Sequence, residues 1–152
     1  MPNSMRPLID RFLACKRLAV AGTSRNPKDF SRQVFEEFRR RGYDVVPVNP
    51  NTENLGGHPC VARVQEISPE PEAAILLTPQ NTTAQVVRDC HEARIKLVWL
   101  VGKAGTDESL AICKAHNIEA IAGICPMMFL PDAAWFHRLH GGILKLTGAY
   151  PK

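Results

Sequence analysis

The apolar positions along the chain fall into two alternating kinds. Short, mostly apolar runs recur at 17–22, 43–48, 73–78, 96–101 and 118–122. Each has the length of a strand and ends at turn residues, as strands buried on both faces do. Between them lie stretches with apolar residues at helical spacing. Val34, Phe35 and Phe38 share one face of a helix that Ser31 caps and Gly42 stops. Ala84, Val87 and Ala93 face inward from a helix at 81–94, capped by Asn81 or Thr82. Another helix spans 107–116, capped by Thr106 or Asp107, and a short helical segment covers 7–15. The stretch 49–71 is rich in Asn, Gly and Pro, with a short third strand expected near Val61 and a helical turn at 64–67. Pro47 is awkward in the second strand, because proline donates nothing to a ladder.

Apolar strands alternating with helices call for a parallel sheet covered on both faces. With right-handed crossovers the expected fold is α/β: a Rossmann-like parallel sheet of about five strands, order 3-2-1-4-5, with helices on both faces. The 152 residues suit a single domain, 1–152. Its last part, 126–152, reads as a helical tail carrying Met127, Met128, Phe129, Leu130, Trp135 and Phe136. That tail packs on the domain or on a second copy, which leaves a homodimer or a protein partner open.

Composition narrows the classes. Hydrophobic residues make up 45% and charged residues 22%, a globular balance. No run approaches the roughly 20 apolar residues of a membrane span, and the first residues lack a signal-peptide core. The cytoplasm is therefore the expected compartment, with no membrane partner. Five cysteines, never spaced C-x-x-C, argue for reduced thiols rather than a disulfide framework or a zinc knuckle. The net charge of +4 favours an anionic partner. The densest basic run, Arg39-Arg40-Arg41, ends a helix, where cations suit the dipole. Aromatic residues do not interleave with it, so nucleic acid is not the expected partner.

In an open parallel sheet, ligands bind beyond the carboxyl ends of strands where the order reverses. Here that point lies between strands 17–22 and 73–78, so the loops 22–31, 78–82 and 102–106 meet there. The first reads Gly22-Thr23-Ser24-Arg25-Asn26-Pro27-Lys28. Glycine permits close backbone approach, Thr23 and Ser24 bring hydroxyls, Arg25 and Lys28 bring charge, and a helix start follows. These features suit a phosphate, and equally an ordinary strand-to-helix turn. The dinucleotide fingerprint G-x-G-x-x-G is absent, as is an acid after Val48, which counts against NAD without excluding another nucleotide. No P-loop motif occurs.

The segment from Ala19 to Asn51 resembles the opening of the small CoA-binding proteins, relatives of the CoA-binding domain in the succinyl-CoA synthetase alpha subunit. The matching features are G-x-S-x-x-P after the first strand, R-G-Y-x-V-x-P-V-N-P across the second, the Gly56-Gly57 turn, "LLTP" and "IKLVWLVG". The resemblance covers roughly residues 17 to 125 and accounts for Pro47. It implies a Rossmann-like domain that binds coenzyme A or an acyl-CoA. By the resemblance, Gly22, Thr23, Ser24, Arg25, Asn26 and Lys28 meet the phosphates. Asn49, Pro50 and Thr52 approach the nucleotide end, while Thr78, Pro79, Gln80, Gly102 and Lys103 line the remaining loops. Two departures stand out. Ser31 replaces a glycine common at the helix entry, and Val101-Gly102-Lys103 replaces Q-x-G. The synthetases use a phosphorylated histidine on a second domain and an ATP-grasp partner. A chain of 152 residues has room for neither, so a complete synthetase is not expected.

Catalytic candidates are sparse, and none is assigned. Cys125 could act as a nucleophile on a CoA thioester, or be a small residue buried at a strand end. His137 and His140 lie three apart on the tail helix, but two further metal ligands are missing, so no metal is expected. A binding module without chemistry of its own is the leading reading. A thioester enzyme using Cys125 and an NAD- or nucleotide-binding regulator are the alternatives.

Overall fold

The computed structural model describes residues 5–130. After helix α1 (Met5–Ala14) the chain forms β1 (Arg17–Ala21), α2 (Phe30–Arg40) and β2 (Asp44–Val48). A hairpin of β3 (Asn54–Leu55) and β4 (His58–Pro59) follows. Then come β5 (Ala73–Leu76), α3 (Gln80–Glu92), β6 (Leu97–Leu100), α4 (Asp107–Ala115) and β7 (Glu119–Ala122). Five strands form one parallel sheet in the order β2-β1-β5-β6-β7. This is the Rossmann-like arrangement. The expected third strand is reduced to a single parallel bridge between Val61 and Val48, outside β2. The hairpin was not expected from the pattern of apolar positions.

The apolar character of the central strands β1, β5 and β6 follows from their two covered faces. Ala19, Ala21, Ala74, Leu76, Val98 and Leu100 point to one side, against Val87 and Cys90 of α3 and Cys113 of α4. Leu18, Val20, Ala73, Ile75, Leu97 and Trp99 point to the other, against Ile9 and Phe12 of α1 and Val34, Phe35 and Phe38 of α2. Phe12 meets Trp99 edge to face at 5.2 Å, and the Trp99 indole N–H donates to the Ile124 carbonyl at 2.9 Å. Both contacts satisfy the ring's requirements for packing and for its polar atom.

Pro47 fits because of where its backbone points. The Pro47 carbonyl accepts from Val61 N–H at 3.2 Å, so this residue faces away from β1. The donor it lacks would point outward, beside a bridge one residue long, and β1 loses no hydrogen bond.

Three helices end in one backbone device. In each, the amide two residues past the C-cap returns to the carbonyl three positions before it, and the intervening amide closes a tighter bond. The bonds are Tyr43 N–H to Phe38 O and Gly42 N–H to Arg39 O after α2. Ile95 to Cys90 with Arg94 to His91 end α3, and Ile118 to Cys113 with Asn117 to Lys114 end α4. The left-handed residue is Gly42, Arg94 and Asn117 in turn, with φ of 93°, 65° and 58°. Glycine suits that position best and asparagine tolerates it, whereas arginine does neither.

The capping of helix starts differs from expectation at two places. Asp29, not Ser31, is the N-cap of α2, and its side chain caps nothing. Ser31 instead is the second residue of the first turn, with its hydroxyl turned toward the preceding loop. The N-cap of α3 is Pro79, which has no side-chain acceptor, so neither Asn81 nor Thr82 caps that helix. α4 does carry a capping box, in which Thr106 Oγ1 accepts from Ser109 N–H and Thr106 N–H donates to Ser109 Oγ, each at 3.0 Å.

The described part of the tail is a 3₁₀ turn, Pro126–Phe129, whose Met127 and Met128 are buried. Trp135, Phe136, His137 and His140 lie outside the described residues. Among the described residues no helix is long and apolar enough to cross a membrane.

Candidate functional site

The carboxyl ends of β1, β2 and β5 open onto a cleft of about 580 Å³. Its floor is the end of β1 and the loop after it, Ala21 to Ser24. One wall is the loop after β2, Val48 to Asn51, with Ala62, Arg63 and Val64. The other wall is Thr78 and Pro79, continuing along α3 through Asn81, Thr82, Gln85, Val86 and Asp89.

Of the residues expected at a site, the fold brings together Gly22, Thr23, Ser24, Asn49, Pro50, Thr78 and Pro79 along this cleft. Thr52 lines an adjoining hollow shared with Pro50, Asn51 and Ala62. Arg25, Asn26 and Lys28 are exposed on the first loop, Gln80 is exposed at the start of α3, and Gly102 and Lys103 are exposed beyond β6. None of these six is in the cleft lining. The pattern of the sequence did not single out Arg63, Gln85, Val86 or Asp89. These residues reach the cleft from the loop after the Val61 bridge and from the interior of α3. Only the packing of those two segments against each other brings them together.

Gly22 is required for a reason other than approach to a ligand. Its φ is +88°, and a Cβ there would sit 2.7 Å from the Leu77 carbonyl oxygen. The close approach is thus between the first loop and the end of β5, at the point where strand order reverses. The Gly22 amide also donates to the Val48 carbonyl at 3.1 Å, tying in β2. The three strand ends converge on one glycine.

The first loop is held mostly by its own groups. Thr23 is fully buried, and its hydroxyl donates to the Val20 carbonyl at 2.8 Å, so that proton is directed inward. Ser31 Oγ accepts from Ser24 N–H at 3.0 Å. The serine at the helix entry therefore pins the loop from outside. Asn26 Oδ1 accepts from Lys28 N–H, and Ser24 Oγ accepts from Asn26 N–H, each at 3.0 Å. The Ser24 hydroxyl proton keeps no acceptor in these bonds. Arg32, 6% exposed, donates from its guanidinium to the Arg25 carbonyl at 3.3 Å and to Glu36 at 3.1 Å. Asn49 stands where a dinucleotide site would place an acid. Its amide donates to the Thr23 carbonyl at 2.9 Å, linking the loops after β1 and β2.

At the far end of the cleft Asp89 is nearly buried. Its Oδ1 accepts from Arg63 and Gln65 at 2.9 Å each, and from Gln85 at 3.1 Å. The carboxylate in turn raises the Arg63 guanidinium above its ordinary range, chiefly through the hydrogen bond.

Cys125 lies away from the cleft lining, packed with the cluster around Trp99. Burial pushes its thiol up, and the backbone N–H groups of Met127 and Met128 offset this only in part. A thiol held protonated is a poor nucleophile. Among the described residues no group of three or more His, Cys, Asp or Glu could hold a metal ion.

The chain is similar to three known proteins, two by sequence and one by structure. The alpha subunit of an ADP-forming acetate–CoA ligase II from Pyrococcus furiosus is 30% identical over 129 residues, covering 78% of this chain. The match spans only 28% of that subunit. The protein YneT of Bacillus subtilis is 24% identical over 126 residues, covering 82% of this chain and 93% of its own length. The solved structure of a conserved hypothetical protein from Pyrococcus furiosus superposes with a TM-score of 0.68 at 26% identity, covering 72% of this chain and 95% of that one. Residues 16–131, the whole sheet with α2 to α4 and the cleft, match the family described as CoA binding domain, and the chain belongs to that family.

Proposed function

We propose that the chain binds coenzyme A or an acyl-CoA in the cleft at the carboxyl ends of β1, β2 and β5, and does so as a binding module without chemistry of its own. One observation carries this reading. The start of α3 lines the cleft beside Ser24, and its N-cap is a proline with no side-chain cap; Thr82 N–H turns back to the Pro79 carbonyl at 3.0 Å, which leaves the Gln80 and Asn81 amides for a ligand. α4, outside the cleft lining, has the Ser109 amide of its first turn met by the Thr106 side chain in a capping box. A helix start left uncapped next to a glycine-bearing loop favours a pyrophosphate, through both free N–H groups and the dipole.

The apolar lining of Ala21, Val48, Ala62, Val64 and Val86 suits the uncharged parts of such a ligand. Coenzyme A is longer than the cleft. Arg25, Asn26, Lys28, Thr52, Gln80, Gly102 and Lys103 stand on the bordering loops, where a ligand leaving the cleft would pass. The half-buried Cys125, its thiol pushed up by burial, gives the thioester-enzyme reading no support, and the structural use of Asn49 gives none to NAD.

The test is calorimetric titration of ligand-stripped protein with CoA, NAD and ATP. CoA is expected to bind more tightly than either nucleotide. Absence of CoA binding would overturn the reading.

A further inference from the structure

The polar cluster at the far end of the cleft is the least expected part of it. A ligand with phosphates has no evident use for a carboxylate, yet Asp89 lines the wall with a side chain only 9% exposed. Three donors converge on its Oδ1, and Oδ2 accepts no hydrogen bond among the described residues. The carboxylate is thus oriented by Arg63, Gln65 and Gln85, with one acceptor oxygen unused. Oδ2 is not among the sealed, unpartnered atoms, so solvent reaches it from the cleft, and a ligand that displaces that solvent must bring a donor in its place.

The flanking residues indicate which donor. Val86 lies one helical turn before Asp89, and Val64 and Ala62 belong to the opposite wall. Aliphatic side chains on two sides with a polar group at the end accommodate a flat ring that presents a hydrogen-bond donor on its edge. Asn81 to Asp89 spans eight residues of α3, about 12 Å along the axis. The uncapped, positive start of the helix and the Asp89 carboxylate therefore mark opposite ends of one cleft. A ligand lying along it has its phosphates at Ser24 and Asn81 and an uncharged donor at Asp89.

We infer that Asp89 is a specificity-determining residue that accepts a hydrogen bond from the exocyclic amino group of a 6-aminopurine, and so selects adenine over 6-oxopurines. The inference rests on the reading of the cleft as a nucleotide site. A 6-oxo group would place an acceptor against Oδ2 and leave both that acceptor and Oδ2 without a donor. The expected discrimination is at least about tenfold, the scale set by an unpaired buried polar group. Asp89→Asn keeps an oxygen for Arg63 and the two glutamines while turning an NH₂ toward the cleft, so the preference should collapse or invert.

The experiment measures CoA, ADP and IDP binding by calorimetry to the full chain and to Asp89→Asn, with folding of the variant checked by thermal melting. Wild-type preference for ADP over IDP, lost in the variant, supports the inference. Equal ADP and IDP affinities in a wild-type protein that binds CoA would overturn it, while the CoA reading stands. Discrimination that depends on Asp89 without CoA binding would uphold Asp89 and overturn CoA. Absence of binding by all three would overturn both. The wild-type ADP to IDP ratio decides even if the variant does not fold.

Discussion

Gly22 shows how a residue lining the cleft can be obligatory for the packing of the chain itself. Its place after the first apolar run was legible, but its purpose was not. The residue it approaches, Leu77, is 55 positions away, and only the topology brings them together. A Gly22→Ala variant meets a left-handed backbone and a carbonyl oxygen at 2.7 Å at once. It should lose on the order of 2 to 4 kcal/mol of stability in denaturant unfolding. An unchanged midpoint would mean that the loop relaxes freely. Arg94 is the opposite case. It holds φ of 65° at the end of α3, where α2 uses a glycine. The left-handed penalty of about 1 to 2 kcal/mol exceeds the roughly 0.4 to 1 kcal/mol that a glycine adds to unfolded-chain entropy. Arg94→Gly should therefore raise stability by about 0.5 to 1 kcal/mol, read from the same unfolding curves.

At the scale of elements, the sequence marked strands and helices well because their apolar spacing is set by the faces they bury. Val34, Phe35 and Phe38 are all fully buried, as their spacing required. Caps were less legible. Ser31 has the right chemistry for an N-cap, but the helix begins earlier and its hydroxyl serves Ser24 instead. The hairpin β3–β4 escaped notice because two-residue strands carry no periodicity. Its place is fixed by contacts with α2, including His58 against Phe35 at 5.4 Å. The basic end of α2 is a charge network as well as a dipole complement. Glu37 accepts from Arg40 at 2.6 and 3.1 Å and from Arg41 at 2.8 Å. The hydrogen bond from Arg40, foremost, holds its carboxyl below the ordinary value, against the opposing effect of burial. A depressed folded-state value means that the stabilisation is complete above the unfolded value, about 4.3, and is lost as pH falls through the folded one. Unfolding curves between pH 5 and 3 should fall less steeply for Glu37→Gln than for the wild type. Parallel curves would show that the network contributes nothing.

For the whole molecule, the alternation of apolar runs and amphipathic helices was enough to give the parallel sheet and the place of strand reversal. It was enough also to point to the cleft, because ligand position in such a sheet follows from strand order. What it could not supply was the far wall. Arg63, Gln85 and Asp89 carry no motif and meet only through packing. The central position of β1 has a further effect, on the time course of folding. Leu18 pairs with Val45 on one side and with Ala73 on the other, a separation of 55 residues. Both pairings are parallel, so neither forms from a simple hairpin, and the longer requires a large loop to close before it gains anything. On the ribosome, β1 waits for its second neighbour until β5 emerges, about a third of the chain later. Until then Leu18, Val20 and Ala21 stay open to wrong partners.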